Sequence, residues 1–298
     1  MLMKPKFILI VVLLSTISTY AQEYIDLIKF HYSPTPKNSF VDTTGNAPLS
    51  EMGLDLTLPL KINDSLAIIT GVFWENITTQ LAPEAENTII STFNLRVGIN
   101  KKHSEKWSGT YLLLPKISSD LKDVNKNHFQ LGFLGLLKRS YSAKKSYSLG
   151  LYYNQELFGP FFVPLLGIYR KTEKWEINFT LPIWADINYS INKKISAGAT
   201  FSAFVRSYYL GEYNSYLVKK NNELFGYLQY NLTNSVLLRA KVGHSIGRSF
   251  RAYPDDEKVD VGVSAFRFGD DREQLNPDFK DGLVFNFRMI YRFDLSGN

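Results

Sequence analysis

The sequence predicts an all-β fold, a transmembrane antiparallel up-and-down β-barrel of about 14 strands behind a cleaved signal peptide. Three observations lead there. Apolar and polar residues alternate with period two through most of the chain, which puts one greasy and one wet face on extended strands. The alternating stretches mostly run for roughly 9 to 13 residues, where soluble sheets use about 5 or 6. The connections between them alternate between long and short, the layout of a barrel with long loops at one rim and tight turns at the other.

Composition narrows the class further. The chain has 298 residues, 45% of them apolar and 14% aromatic, with no cysteine, and its mean hydropathy is −0.14. Disorder is excluded by the apolar share, a helical membrane bundle by the low hydropathy, and disulfide scaffolds, thiolate metal sites and thiol catalysis by the absent cysteine. The formal charge of +6 is not gathered into a nucleic-acid stripe, and no nucleic-acid partner is expected.

Residues 1–21 read as an address. Lys4 and Lys6 precede the apolar run Phe7 to Leu14, and a small, polar stretch closes on Thr19-Tyr20-Ala21. That order is a secretory signal, and the run is too short for a bilayer-spanning anchor, the competing reading. The barrel domain is then 22–298. After the signal no apolar run reaches the length of a membrane helix, since Leu157 to Tyr169 is broken by Gly159, Pro160, Pro164 and Gly167.

Four stretches carry the alternation most cleanly: Met52 to Ile62, Ile89 to Asn100, Trp175 to Ile183 and Leu283 to Phe293. On their apolar faces every member but Ser91 is apolar and none is charged. Weaker versions run over Tyr24–Tyr32, Leu66–Asn76, Trp107–Lys116, His128–Arg139, Tyr147–Gln155, Phe162–Lys171, Ile187–Ile191, Ile195–Tyr209, Glu223–Leu232 and Ser235–Ser245. Merging the short pair around Trp184-Ala185-Asp186 would leave 12 strands.

Ser33–Leu49, Ile77–Asn87, Ile117–Asn127, Leu210–Asn222 and Ile246–Lys280 are the expected long loops; Asn63–Ser65, Lys101–Lys106, Thr172–Lys174, Asn192–Lys194 and Thr233–Asn234 are the expected short turns. Ser140–Ser146 is long for its side and the Trp184 turn short for its own. Tyr24, Trp107, Tyr147, Trp175, Tyr230 and Phe293 fall near the short turns, and Tyr32, Trp74, Trp184 and Tyr209 near the long loops. Two interfacial girdles would place them so, though β-propensity alone also favours aromatics.

The last strand, Leu283 to Phe293, alternates and finishes on an aromatic, with Asp294 to Asn298 after it. It resembles the C-terminal signal read by barrel assembly machinery, which the resemblance implies as a partner alongside outer-membrane lipid. Gly159-Pro160-Phe161-Phe162-Val163-Pro164, Gly167-Ile168-Tyr169, Trp175-Glu176-Ile177-Asn178, Leu181-Pro182, Leu275-Asn276, Asp281-Gly282 and the leader end Ala21-Gln22 together resemble an uncharacterised family of predicted outer-membrane barrels from Bacteroidota. The resemblance spans the mature chain and implies a fold and a Gram-negative outer-membrane location. It implies no active site.

The wet face carries the candidate site. Arg96, Arg206, Arg239, Lys241, Arg288 and Arg292 share it with Asp55, Glu176 and Asp186, as lumen-lining candidates that either pair into a structural network or line a water path. His31, His128 and His244 are expected near strand ends on the long-loop side, with Ser245 beside His244, but no serine elbow or His-Glu metal motif accompanies them. No enzyme, cofactor or metal is expected. Asp255-Asp256-Glu257-Lys258 and Gly269-Asp270-Asp271-Arg272-Glu273 lack EF-hand spacing, and their loop could fold inward or extend the last hairpin through Val259–Phe268. The expected function is a pore or transporter for small solutes. The alternatives are a plugged structural or adhesive barrel, and a soluble secreted or periplasmic β-protein that binds glycans.

Overall fold

The computed structural model describes residues 24–294 apart from 123, so the signal-peptide expectation at 1–21 lies outside the described residues. The strands are β1 Tyr24–Ser39, β2 Asn46–Asn63, β3 Leu66–Thr79, β4 Thr88–Lys102, β5 Trp107–Ser119, β6 Phe129–Ser142, β7 Lys145–Glu156, β8 Gly159–Lys171, β9 Trp175–Leu181, β10 Trp184–Ser190, β11 Ile195–Leu210, β12 Ser215–Asn231, β13 Val236–Ser245, β14 Ser249–Pro254, β15 Val261–Val263, β16 Phe266–Phe268 and β17 Leu283–Asp294. Each of β1 to β12 pairs antiparallel with the next, β13 pairs with β17, and β17 pairs with β1. This is a closed wall of 14 antiparallel strands. Closure pairs the first wall strand with the last, which makes the fold possible in lipid and dispenses with disulfides.

The faces follow the alternation. Leu58, Leu60, Ile62, Leu95, Val97, Phe287 and Met289 stand exposed on the outside, while Asp55, Arg96 and Arg288 line the interior cavity. An exposed apolar band running round the whole wall has no stable place in water. Trp107, Tyr147, Trp175 and Tyr230 are exposed near the tight turns, in the position of one girdle. Three expected girdle members point elsewhere. Tyr24 turns inward and donates to Glu176, Trp184 lines the internal cavity, and Tyr209 is buried at the mouth.

The long-loop rim departs most from expectation. β1 continues to Ser39 and β2 starts at Asn46, so most of the Ser33–Leu49 loop is strand. Ser140–Ser146 is a two-residue turn at 143–144. Leu210–Asn222 is not a loop: β11 and β12 run on and pair as far as Leu210 and Ser215, with Asn214 left-handed at φ 43° in the turn. Nor does Val259–Phe268 extend the last hairpin. β15 pairs in parallel with the upper edge of β8 at Phe161 and Phe162, and β14 pairs with β12.

Candidate functional site

The upper halves of β11 and β12 do not continue the wall. With β14 they form a three-stranded sheet that crosses inside the mouth, and Tyr209 bridges in parallel to Ser119 of β5. The sequence explains the turn inward. Continued along the wall, the lipid-facing register of this stretch would hold Ser207 and Lys220, polar groups that cannot face hydrocarbon, so the outward face is covered by protein instead.

Both faces of this sheet are packed. Tyr208, Leu210, Leu217, Phe250 and Ala252 meet Phe40, Leu49, Ile77 and Ile90 of the β1–β4 side. Tyr216, Val218 and Tyr253 meet Phe158, Phe161, Val163 and Leu165 on β8 and the turn before it. Gly159, at φ 122°, permits the chain to cross directly over β8, because a Cβ there would lie 2.6 Å from the Val259 carbonyl oxygen.

Ion pairs pin the same sheet. Arg206 Nη1 lies 2.7 Å from Glu75, whose carboxylate also accepts from Tyr208 at 3.1 Å, and Lys219 Nζ lies 2.7 Å from Glu51. On the other face Glu156 accepts from Lys116 Nζ at 2.8 Å, from Ser207 Oγ at 2.6 Å and from the Ser207 backbone N–H at 2.9 Å. Lys116 and Glu156 are 3% and 0% exposed, so each charge depends on the other. Sequence reasoning missed Glu75, Glu156, Lys116 and Lys219. The available signal was a carboxylate on the wet face near the expected loop end.

Of the nine predicted lumen residues, Asp55, Arg96, Arg206, Lys241 and Arg288 line the cavity, and six of the nine fall into three paired groups. Asp55 pairs with Arg96 and, at 3.6 Å, with Lys29. Asp186 holds Arg239 Nη1 at 2.9 Å and Tyr227 Oη at 3.0 Å, and Gln229 takes the rest of that guanidinium. Arg292 pairs with Asp26 at 2.6 Å and lies over the Tyr24 ring, whose hydroxyl donates to Glu176. Arg206 belongs to the mouth sheet.

Lys241 and Arg288 stand apart from these networks. Among the described residues neither has a carboxylate partner within ion-pair distance. Lys241 is 6% exposed, reaches the Thr200 hydroxyl at 3.3 Å and lies over the Phe225 ring at 5.4 Å; Arg288 Nε has no hydrogen-bond partner. The register places Arg288 opposite Arg239 and two residues along from Asn286, the partner of Lys241.

These two cations face a cavity of about 1030 Å³ beneath the mouth sheet. Its far side lies at β9 and β10, which are only seven residues each. Seven residues rise roughly 23 Å along a strand, and a tilt of about 40° leaves roughly 18 Å across the membrane, short of the about 25 Å apolar band. The Pro182-Ile183 turn therefore lies inside the membrane thickness. Above it β15 takes the β8 edge at Phe161 and Phe162 in parallel, β9 pairs with β8 only from Leu166 down, which leaves 163–165 between them, and β11 has bent away. The cavity runs through this gap: outward-facing Leu181 lines it together with inward-facing Thr200, Lys241 and Arg288.

The structure gives His31, His128 and His244 separate surroundings. His31 lies mid-strand facing the cavity, not at a strand end. His128 is buried against the Tyr209 ring at 4.7 Å, and His244 contacts the Ser245 carbonyl oxygen at 2.6 Å. Ser245 itself donates to Asp281 at 3.1 Å, which orders the turn into the last loop. Among the described residues no cluster of His, Asp and Glu could hold a metal ion.

Residues 17–259 match the family described as Domain of unknown function (DUF6268), and the chain belongs to that family. No curated protein matches it. Solved structures similar to it include the COG4313 outer membrane channel from Pseudomonas putida F1 at 8% identity and a TM-score of 0.46, covering 92% of this chain and 96% of that one. The NanC porin aligns at 11% identity and 0.38, covering 89% and 98%. The Pseudomonas putida toluene transporter TodX aligns at 11% and 0.37, covering 90% and 89%. At such scores the architecture rests on the strand pairing itself.

Proposed function

We propose that this member of the DUF6268 family is an integral barrel of a Gram-negative outer membrane that passes a small solute through an internal, substrate-sized cavity, with no open axial pore. One observation carries the reading: a cavity of about 1030 Å³ with uncompensated cations on its wall lies under a mouth closed by a sheet packed on both faces. That volume is at the upper edge of the about 300–1,000 Å³ usual for small-molecule sites. The exposed apolar band supports lipid as the surrounding partner, and the alternating C-terminal strand supports delivery by barrel assembly machinery.

Refolded protein in planar bilayers is the test. Small conductance steps, well below those of an unobstructed lumen of this strand number, are the expected result. Wide steady conductance would overturn the closed mouth, and no steps at all would leave a plugged structural or adhesive barrel. Carbonate washing should leave the protein in the membrane pellet; release would favour a soluble secreted β-protein.

A further inference from the structure

The wall gap and the unpaired cations lie at opposite ends of one cavity, and their chemistry differs. At the gap the lining is Leu181, Pro182, Ile183 and Phe204, and Leu181 and Phe204 are both exposed. Irregular backbone at membrane depth persists only where protein covers it or where it lines a cavity, and here it does the second. At the other end Lys241 and Arg288 are diagonal neighbours on adjacent strands, Arg288 two residues beyond the Asn286 that pairs with Lys241, within reach of one shared anion. Lys241 is more than nine-tenths buried, with the Thr200 hydroxyl and the face of the Phe225 ring beside it but no carboxylate within ion-pair distance, a costly arrangement that an anion in the cavity would relieve. Thr200, which meets Lys241, is three residues along β11 from Ala203 at the lip of the gap. The polar end therefore lies roughly 10 Å from the bilayer opening.

We propose that a single-chain anionic amphiphile, an alkyl carboxylate, enters sideways from the outer leaflet through the gap above the β9–β10 turn and seats its carboxylate between Lys241 and Arg288. The alkyl chain then lies along Ile183 and Phe204 toward the opening. This deepens the reading of the barrel as a solute passage by naming its substrate class and its door. A lone small anion would use only the basic end, and a neutral alkane only the gap; the cavity offers both in series.

Trp184 provides the readout, because it faces the cavity whereas Trp107 and Trp175 are exposed on the outer wall. The protein carrying Trp74→Phe, Trp107→Phe and Trp175→Phe, in phosphatidylcholine nanodiscs, is titrated with 12-bromododecanoate, whose bromine quenches nearby indole emission. Saturable quenching is expected, displaced by dodecanoate and at least tenfold less readily by butanoate. Lys241→Met and Arg288→Met should each weaken the midpoint about tenfold or more. Equal displacement by butanoate would reduce the site to a simple anion pocket and overturn the role of the gap. Saturation by 12-bromododecanol at the same midpoint would overturn the carboxylate seat. Displacement by phosphatidylglycerol added to the nanodisc would make the occupant a bilayer lipid and overturn the free acid. If the cation variants fail to assemble, the series of competitors decides alone. Saturable quenching without conductance steps would keep this site and remove only transport. Steps without saturable quenching would remove the site and leave a solute channel.

Discussion

The two sides of this barrel solve opposite problems. From β1 to β5 the strands are 13 to 18 residues long, tall enough to cross the membrane and rise beyond it. At β9 and β10 the wall drops to seven residues, and the strand that should have stood beside it leans inward to close the mouth. The tall side supplies a rigid seat for the mouth sheet, through Glu51, Glu75 and Ile77. The low side gives the cavity its way out. Closing the top and opening the flank are thus one structural event, the inward bend of β11.

The largest effect should come from unseating the mouth sheet. Glu156→Ala leaves Lys116 buried without its carboxylate and removes the oxygen to which the Ser207 backbone N–H and hydroxyl both donate, and is expected to cost about 3–5 kcal/mol in urea unfolding from vesicles. Asp278→Ala removes the partner of Arg251, a half-exposed pair outside the cavity, and should cost less than about 1 kcal/mol. Equal losses would mean that the mouth sheet is not held by its buried pairs.

Next comes the lipid face. Leu56→Arg on the tall wall should cost roughly 2–4 kcal/mol if the position is mid-bilayer, whereas Asp55→Asn on the inner face should be mild. Leu181→Arg on the low wall should cost less than half as much as Leu56→Arg, because its guanidinium can turn into the cavity it borders. Equal penalties at Leu56 and Leu181 would close the gap that the low wall provides. Smallest is Thr200→Val, which removes the hydroxyl that Lys241 reaches; less than about 1.5 kcal/mol is expected, the worth of a single hydrogen bond.

The wall was legible in the sequence because period-two alternation encodes it residue by residue, and even the short pair around Trp184 emerges as two strands. The mouth sheet was not. Tyr208 to Leu210 and Tyr216 to Val218 are apolar on both faces, short runs that any strand can carry, and Ser207 and Lys220 in the lipid register mark the departure. A sequence shows that such a face must be covered, but not by what. The same holds for Arg206, which shares the wet face with Arg96 yet pairs in the mouth with Glu75. Partners such as Glu156 and Lys116 are 40 residues apart in sequence and meet only through the curvature of the wall. Asp55 and Arg96, and Asp186 and Arg239, are just as distant at 41 and 53 residues; their place on the wet face could be read, but which charge meets which could not.

The most direct test asks which opening a solute uses. The chain has no cysteine, so Ser119→Cys with Tyr209→Cys introduces one defined pair at the parallel bridge between β5 and the mouth sheet, where backbone spacing of roughly 5 Å suits a disulfide. With that staple oxidised the mouth sheet cannot swing away. Quenching of Trp184 by 12-bromododecanoate from the bilayer should be the same in the oxidised and reduced protein, because the route runs through the low wall. Quenching lost on oxidation and restored by a reductant would contradict the account and make the mouth the door.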